Sequence, residues 1–308
     1  MNYSVFYTDH HPLPLPAGHR FPEQKYKLLR ELLLSENTIT PDQLIQAGPA
    51  SPELLALAHD PSYVRAFQTG TVDPQLFKRL GFPWSPELFV RSAASVGGAV
   101  DAARSALKDG VAGCLAGGTH HAHFDRGEGY CAFNDLAVAS RFLQLEFRIP
   151  KIAIIDLDVH QGNGNSSILG ADPDIFIGSI HGEKNYPFVK VPSTVDIALA
   201  EGVEDSEYLD AVDVMLKQVE KFDPHYIFYQ MGVDPLKEDK LGKMNLTHVG
   251  LFERDLRVLK FAQSRAIPLS LALGGGYAEP IELSVRAYAN TYIALNKVYG
   301  CTRSDNSL

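Results

Sequence analysis

Residues 152–164 read IAIIDLDVHQGNG: four apolar residues, then Asp156, Asp158 and His160 at alternate positions, then a glycine-rich turn. A short continuous apolar run of this kind suits a strand buried on both faces of a parallel sheet. The same order recurs elsewhere. Residues 111–116 (VAGCLA) lead into Gly117, Gly118, Thr119, His120 and His121. Residues 175–177 (IFI) lead into Gly178, Ser179, Ile180 and His181, and residues 226–229 (YIFY) are followed by Asp234. Residues 269–273 (LSLAL) lead into Gly274, Gly275, Gly276 and Tyr277. Between the runs, Leu209, Val212, Met215, Leu216, Val219 and Phe222 recur at helical spacing. Residues 26–34, 249–263 and 281–298 also read as helices, and the N-terminal third reads as mostly helix and loop. Alternating strands and helices predict an α/β fold with a mainly parallel sheet.

In such a sheet the C-terminal strand ends share one edge, where open α/β folds place ligands. Five strands are thus expected to bring His, Asp and Tyr to one rim. Asp156, Asp158 and His160 at i, i+2 and i+4 point to one side of an extended chain. Buried together, they call for a cation. A D-x-H pair plus one carboxylate from another strand leaves an open position, the pattern of a catalytic metal site. Asp234 is the best third ligand. Two aspartates that merely capped a turn would not need His160. His120 and His121 follow a Gly-Gly turn at the same edge, whereas His123 reads as an ordinary loop histidine. The three glycines before Tyr277 let the backbone approach closely and aim a phenol into a cleft, where it can hold an oxyanion.

The whole chain fits this picture. Its 308 residues are 45% hydrophobic, enough for a full core, and 28 basic against 37 acidic side chains leave a net charge of −9. That balance argues against direct binding of nucleic acid or anionic membranes. No basic-then-apolar leader opens the chain, and nothing approaches ~18 consecutive apolar residues, so neither a signal peptide nor a membrane span is expected. Cys114, Cys131 and Cys301 are an odd set without a CxxC pair. They read as free thiols of a reducing, cytoplasmic setting. One domain over 1–308, with a loose polar tail at 302–308, is the simplest organisation. G-x-S-x-G, HExxH, Walker A and complete GxGxxG motifs are absent, which removes the usual support for serine hydrolases, zincins, P-loop and dinucleotide enzymes.

Five stretches in order resemble the zinc-dependent histone deacetylase family: GGTHHAHFDRGEGYCAFND (117–135), IIDLDVHQGNG (154–164), GSIH (178–181), QMGVDPLKEDKLGKMNLT (230–247) and LGGGY (273–277). Weaker similarity around 59–64 extends the coverage to most of the chain, and DLDVHQGNG is most like the class IV branch and its bacterial relatives. The resemblance implies a single three-layer domain, a mainly parallel sheet flanked by helices, of the arginase–deacetylase fold. It assigns Asp158, His160 and Asp234 to the metal, His121 as general base and acid, His120 as its electrostatic partner and Tyr277 as the carbonyl-polarising phenol. It has Asp156 orient His120 and, with Ser179, hold a structural K+. Gly129, Tyr130, Tyr186 and Gly275 would line a channel for an acyl-lysine side chain. The implied reaction is hydrolysis of an acetyl or longer acyl group from the lysine amine, on a protein, a peptide or a small acylated amine.

Two departures stand out. Asn163 occupies a position where many family members carry aspartate beside the base, which predicts a lower pKa for His121. No acid matches the rim aspartate that some relatives use to hold peptide backbone; Gly81, Phe82, Pro83 and Trp84 lie in that region. Zn2+ suits the ligand set, and an oxygen-rich site also admits Fe2+ or Co2+. A binuclear arginase-type centre would want an acid two residues after His160 and a second DxD, but Gly162 and Asp234-Pro235-Leu236 stand there. An acetylpolyamine deacetylase on the same fold is the alternative activity. A silent acyl-lysine binder is the non-enzymatic one, and it predicts the loss of a ligand, of His121 or of Tyr277. None is lost.

Overall fold

A computed structural model describes residues 3–300. Cys301 and the polar tail expected at 302–308 lie outside the described residues. The strands are β1 (Val5–Tyr7), β2 (Leu44–Gln46), β3 (Val111–Cys114), β4 (Ile152–Asp156), β5 (Ile175–Gly182), β6 (Val195–Leu199), β7 (Tyr226–Gln230) and β8 (Leu269–Ala272). The helices are α1 (Gln24–Ser35), α2 (Pro52–Leu55), α3 (Pro61–Thr69), α4 (Pro74–Lys78), α5 (Pro86–Asp109), α6 (Asp135–Phe147), α7 (Asn163–Leu169), α8 (Asp205–Phe222), α9 (His248–Ser264) and α10 (Glu282–Tyr299).

The eight strands form one sheet in the order β2-β1-β3-β8-β7-β4-β5-β6, and every neighbouring pair is parallel. Strand alternation divides the apolar residues of β4 between two cores. Ile152 and Ile154 pack with Val96, Leu136 and Phe142 of α5 and α6. Ala153 and Ile155 pack with Met215, Leu259 and Leu295 of α8, α9 and α10. The result is a three-layer α/β domain in which the sheet is buried on both faces. No helix among the described residues is long and apolar enough to cross a membrane.

Three features differ from the sequence expectation. The sheet is wholly parallel and includes β1, β2 and β6. The first two have only three residues each, and β6 is an edge strand whose burial alternates instead of running continuously. Next, β5 does not stop at 177: Gly178, Ser179, Ile180 and His181 remain in the strand and are all buried. His181 is buried in the strand and does not line the cleft; its Nδ1 lies 3.0 Å from Ser179 Oγ. Finally, β4 ends at Asp156. The chain turns there, so Asp156 does not share one face with Asp158 and His160.

Candidate active site

The C-terminal ends of β3, β4, β7 and β8 surround a cleft of about 390 Å3. Its floor carries Asp158 and His160, and Asp234 stands beside them, the candidate ligand atoms of the three all lying within 4.8 Å of one another. His160 Nδ1 sits 3.0 Å from both Asp158 Oδ1 and Asp234 Oδ2. The outer carboxylate oxygens are held by the backbone: Gly275 N–H donates to Asp158 Oδ2 at 2.6 Å and Val159 N–H to Asp234 Oδ1 at 2.9 Å. The inner lone pairs are thereby turned toward one another. Such a cluster is costly without positive charge between its members. Burial and the Asp158 charge push Asp234 up to about 7. Burial lowers His160, but its hydrogen bonds to the two carboxylates prevail and raise it to about 10. Two carboxylates and one imidazole, inward-facing and open to a cleft, fit a divalent metal.

Asp156 goes elsewhere. Its Oδ2 lies 2.8 Å from His120 Nδ1, and Asp158 N–H donates to its Oδ1. His121 Nδ1 lies 2.7 Å from Asn163 Oδ1, at the N-terminus of α7. These adjacent histidines, with ring centroids 4.1 Å apart, are driven in opposite directions. Burial lowers His120, yet Asp156 and Asp158 outweigh it and raise the group. Burial, then the charges of His120 and His160, hold His121 well below 6.5. His120 thus holds its proton more readily than a free imidazole, and His121 beside it less readily.

Tyr277 lines the same cleft, with its backbone N–H donating to Asp239 at 2.5 Å. Burial holds its hydroxyl well above 10, so it is a proton donor at neutral pH. Gly129, Tyr130, Tyr186 and Gly275 are also cleft-lining residues. Tyr186 meets the His121 ring edge-on at 4.9 Å and donates its hydroxyl to Glu128. Gly129, at φ +55°, passes so close that a Cβ there would stand 3.0 Å from His121 Cδ2 and 3.2 Å from Tyr186 Cε1. Asp156 and Ser179 are register partners across β4 and β5, below the cleft.

Several residues of the site carry no signal in the sequence. Lys25 reaches in from α1 with its ammonium 3.4 Å from Gly276 O and Tyr288 Oη. Burial lowers it to about 8 against the pull of Asp234, Asp239 and Asp158. Asp239 gathers the N–H groups of Leu241, Gly242 and Tyr277, tying the 239–242 loop to the phenol. Only their contacts reveal these roles. His123, read as a loop residue, is buried and lies 3.2 Å from Asn163. The 79–81 segment props the channel, accepting the Gly129 and Tyr130 N–H groups at Arg79 O and Leu80 O.

The arrangement has counterparts. A family model for the histone deacetylase domain matches residues 19–292. The chain is 39% identical to an uncharacterized protein of Picosynechococcus sp., over 97% of this chain and 100% of that one. It is 29% identical to histone deacetylase 2 of Arabidopsis thaliana, over 91% and 74% of the two chains. An acetoin utilization protein AcuC of Staphylococcus aureus is also 29% identical, over 90% and 77%. Among solved structures, an HDAC homolog complexed with SAHA superposes with a TM-score of 0.83 at 26% identity, covering 97% of this chain and 84% of that one. The HDAC homolog from Aquifex aeolicus gives 0.80, also at 26% identity and the same coverage. A parallel sheet with a cleft at its C-terminal edge, matched along almost the whole chain in both sequence and structure, identifies the protein as a hydrolase belonging to the histone deacetylase family.

Proposed function

We propose that this protein is a zinc-dependent lysine deacylase that hydrolyses an acetyl or longer acyl group from the side-chain amine of lysine. The observation that carries the reading is the convergence of the Asp158–His160–Asp234 cluster, the His121–Asn163 pair and Tyr277 on one cleft. Asp158, His160 and Asp234 would hold the metal. When bound, Zn2+ supplies Lewis acidity, polarising the amide carbonyl and acidifying a water. His121 Nε2 takes a proton from the attacking water and returns it to the leaving amine. His120, whose proton Asp156 and Asp158 favour, lowers the proton affinity of His121 beside it and so favours its neutral form. Tyr277 donates its hydroxyl proton in a hydrogen bond to the developing oxyanion, a contact worth about 3 kcal/mol. Asp156 and Ser179, adjacent across two strands, would hold a structural K+. We place the whole chain 1–308 in one catalytic domain, nearest the class IV branch, acting in the cytoplasm, where the buried free thiols Cys114 and Cys131 stay reduced.

The cleft lining favours acyl-lysine over an acetylpolyamine. Lys184 and Lys243 line the cleft with Phe188, which is 84% exposed, and Leu241. The single carboxylate among the lining residues is Asp158, at the floor. A polyammonium chain would meet like charge there, whereas a neutral or acidic peptide would not. The test is an assay of zinc-loaded protein on matched acetyl-lysine and long-chain acyl-lysine peptides and an acetylpolyamine. Cleavage of a lysine peptide, abolished by Asp158→Ala, supports the reading, and the preferred chain length refines it. Cleavage of the polyamine alone replaces the substrate class. No turnover of any substrate, with metal bound, overturns the enzymatic reading.

A further inference from the structure

We propose that His123 sets which nitrogen of His121 carries the proton, acting through the side-chain amide of Asn163. The inference rests on the reading of His121 as the catalytic base. Four groups stand in line: Ser167, His123, Asn163 and His121. The Ser167 hydroxyl donates to Gly164 O at 3.0 Å, so its oxygen, 2.8 Å from His123 Nδ1, accepts from an Nδ1–H. A neutral imidazole has one N–H. His123 Nε2 therefore presents a lone pair, and Asn163 Nδ2, 3.2 Å away, donates to it. Fixing the amide nitrogen toward His123 turns Oδ1 toward His121 Nδ1 at 2.7 Å. That oxygen only accepts, so His121 holds its proton on Nδ1 and keeps Nε2 free to take another.

Reversing the amide undoes the arrangement. Nδ2 would face His121 Nδ1 and force the proton onto Nε2, a nitrogen that then cannot act as a base. All three side chains are buried, so a donor facing a donor there would find no water to relieve it. Burial, with Arg126 adding to it and Glu128 opposing, also holds His123 below its usual range. It thus stays neutral, as the line of bonds requires. The arrangement explains why an amide can replace a carboxylate beside the base. A carboxylate has two equivalent oxygens and needs no orientation, whereas an amide has two different ends and something must choose between them. Asn163 and His123 act as one unit, with His123 a positioning residue that never touches substrate.

The test reads both proton positions and turnover. In the 15N NMR spectrum of the native protein, His121 and His123 are expected as Nδ1–H tautomers; an Nε2–H at either one overturns the proposal. His123→Leu is expected to lower kcat on an acyl-lysine peptide by about tenfold or more with KM little changed, as for other residues that orient a ligand or base from behind. His123→Gln, whose carbonyl can accept from Asn163, should recover part of that loss. In an Asn163→Asp background, His123→Leu is expected to cost less than about threefold, because no orientation remains to be selected. Equal losses in both backgrounds would show a merely structural His123 and sink the idea. If the native protein turns over no peptide at all, the functional reading fails while the NMR result still judges this one.

Discussion

The molecule carries two hollows of similar size and different character. The cleft at the C-terminal strand ends encloses about 390 Å3. A second hollow, where α8 runs into β7 and α9 ends, encloses about 500 Å3 and is lined by Glu220, Asp223, Pro224, His225, Phe261, Arg265, Ala266 and Ile267. Acid, base and imidazole are present in both. In the second, Arg265 and Glu220 pair with each other on the surface, a contact of small energetic weight. In the first, the carboxylates and imidazoles are buried, turned inward by backbone N–H groups and forced to share protons. Volume and residue type do not separate the two hollows. Desolvation and convergence do, because they move proton affinities into a working range.

The two hollows are expected to differ most at the metal ligands. Asp158→Ala should reduce turnover roughly 10⁴-fold or more, since it removes both a ligand and the charge that holds a cation; retention of even a tenth of the activity would relocate the chemistry. Tyr277→Phe should cost about 10²–10³-fold in kcat with KM nearly unchanged, as expected for a donor that acts on the oxyanion. Asn163→Asp sharpens the contrast by pH. His121 must be neutral to act as base, so activity falls as pH drops through its pKa. A carboxylate at 163 stabilises the protonated ring and raises that pKa, so the acidic limb of the pH–rate profile should move to higher pH. An unmoved limb contradicts the assignment of the base. In the second hollow, His225→Ala should leave turnover within about twofold and stability within about 0.5 kcal/mol, as for surface positions generally.

The sequence made the chemistry at the strand ends legible where a buried run stops and polar residues begin at once. Asp158, His160, Asp234 and Tyr277 follow that pattern, and the structure places all four in or against the cleft. The pattern misled at β5, where Gly178 and Ser179 look like a strand end but the backbone continues in the sheet to Gly182. It also put Asp156 on one face with its neighbours, because it assumed an extended chain beyond the residue where the strand stops. The long helix α5 gave little periodic signal. It packs through small residues: a Cβ on Gly98 would already lie 2.8 Å from Cys114 Sγ of β3, and one on Gly97 would meet the backbone of the 48–50 loop. Lys25, Asp239, Glu128 and His123 were invisible for a different reason. Their roles depend on partners that are distant in sequence or on which end of an amide faces them, and no local pattern encodes either.

A zinc titration of chelator-treated protein, followed at each step by acyl-lysine peptide hydrolysis, tests the metal centre most directly. Activity is expected near zero without metal, rising linearly to saturation at one equivalent, with no tight binding by Asp158→Ala. Full activity without metal, saturation only at two equivalents, or undiminished binding by Asp158→Ala would rule out a single zinc held by Asp158, His160 and Asp234.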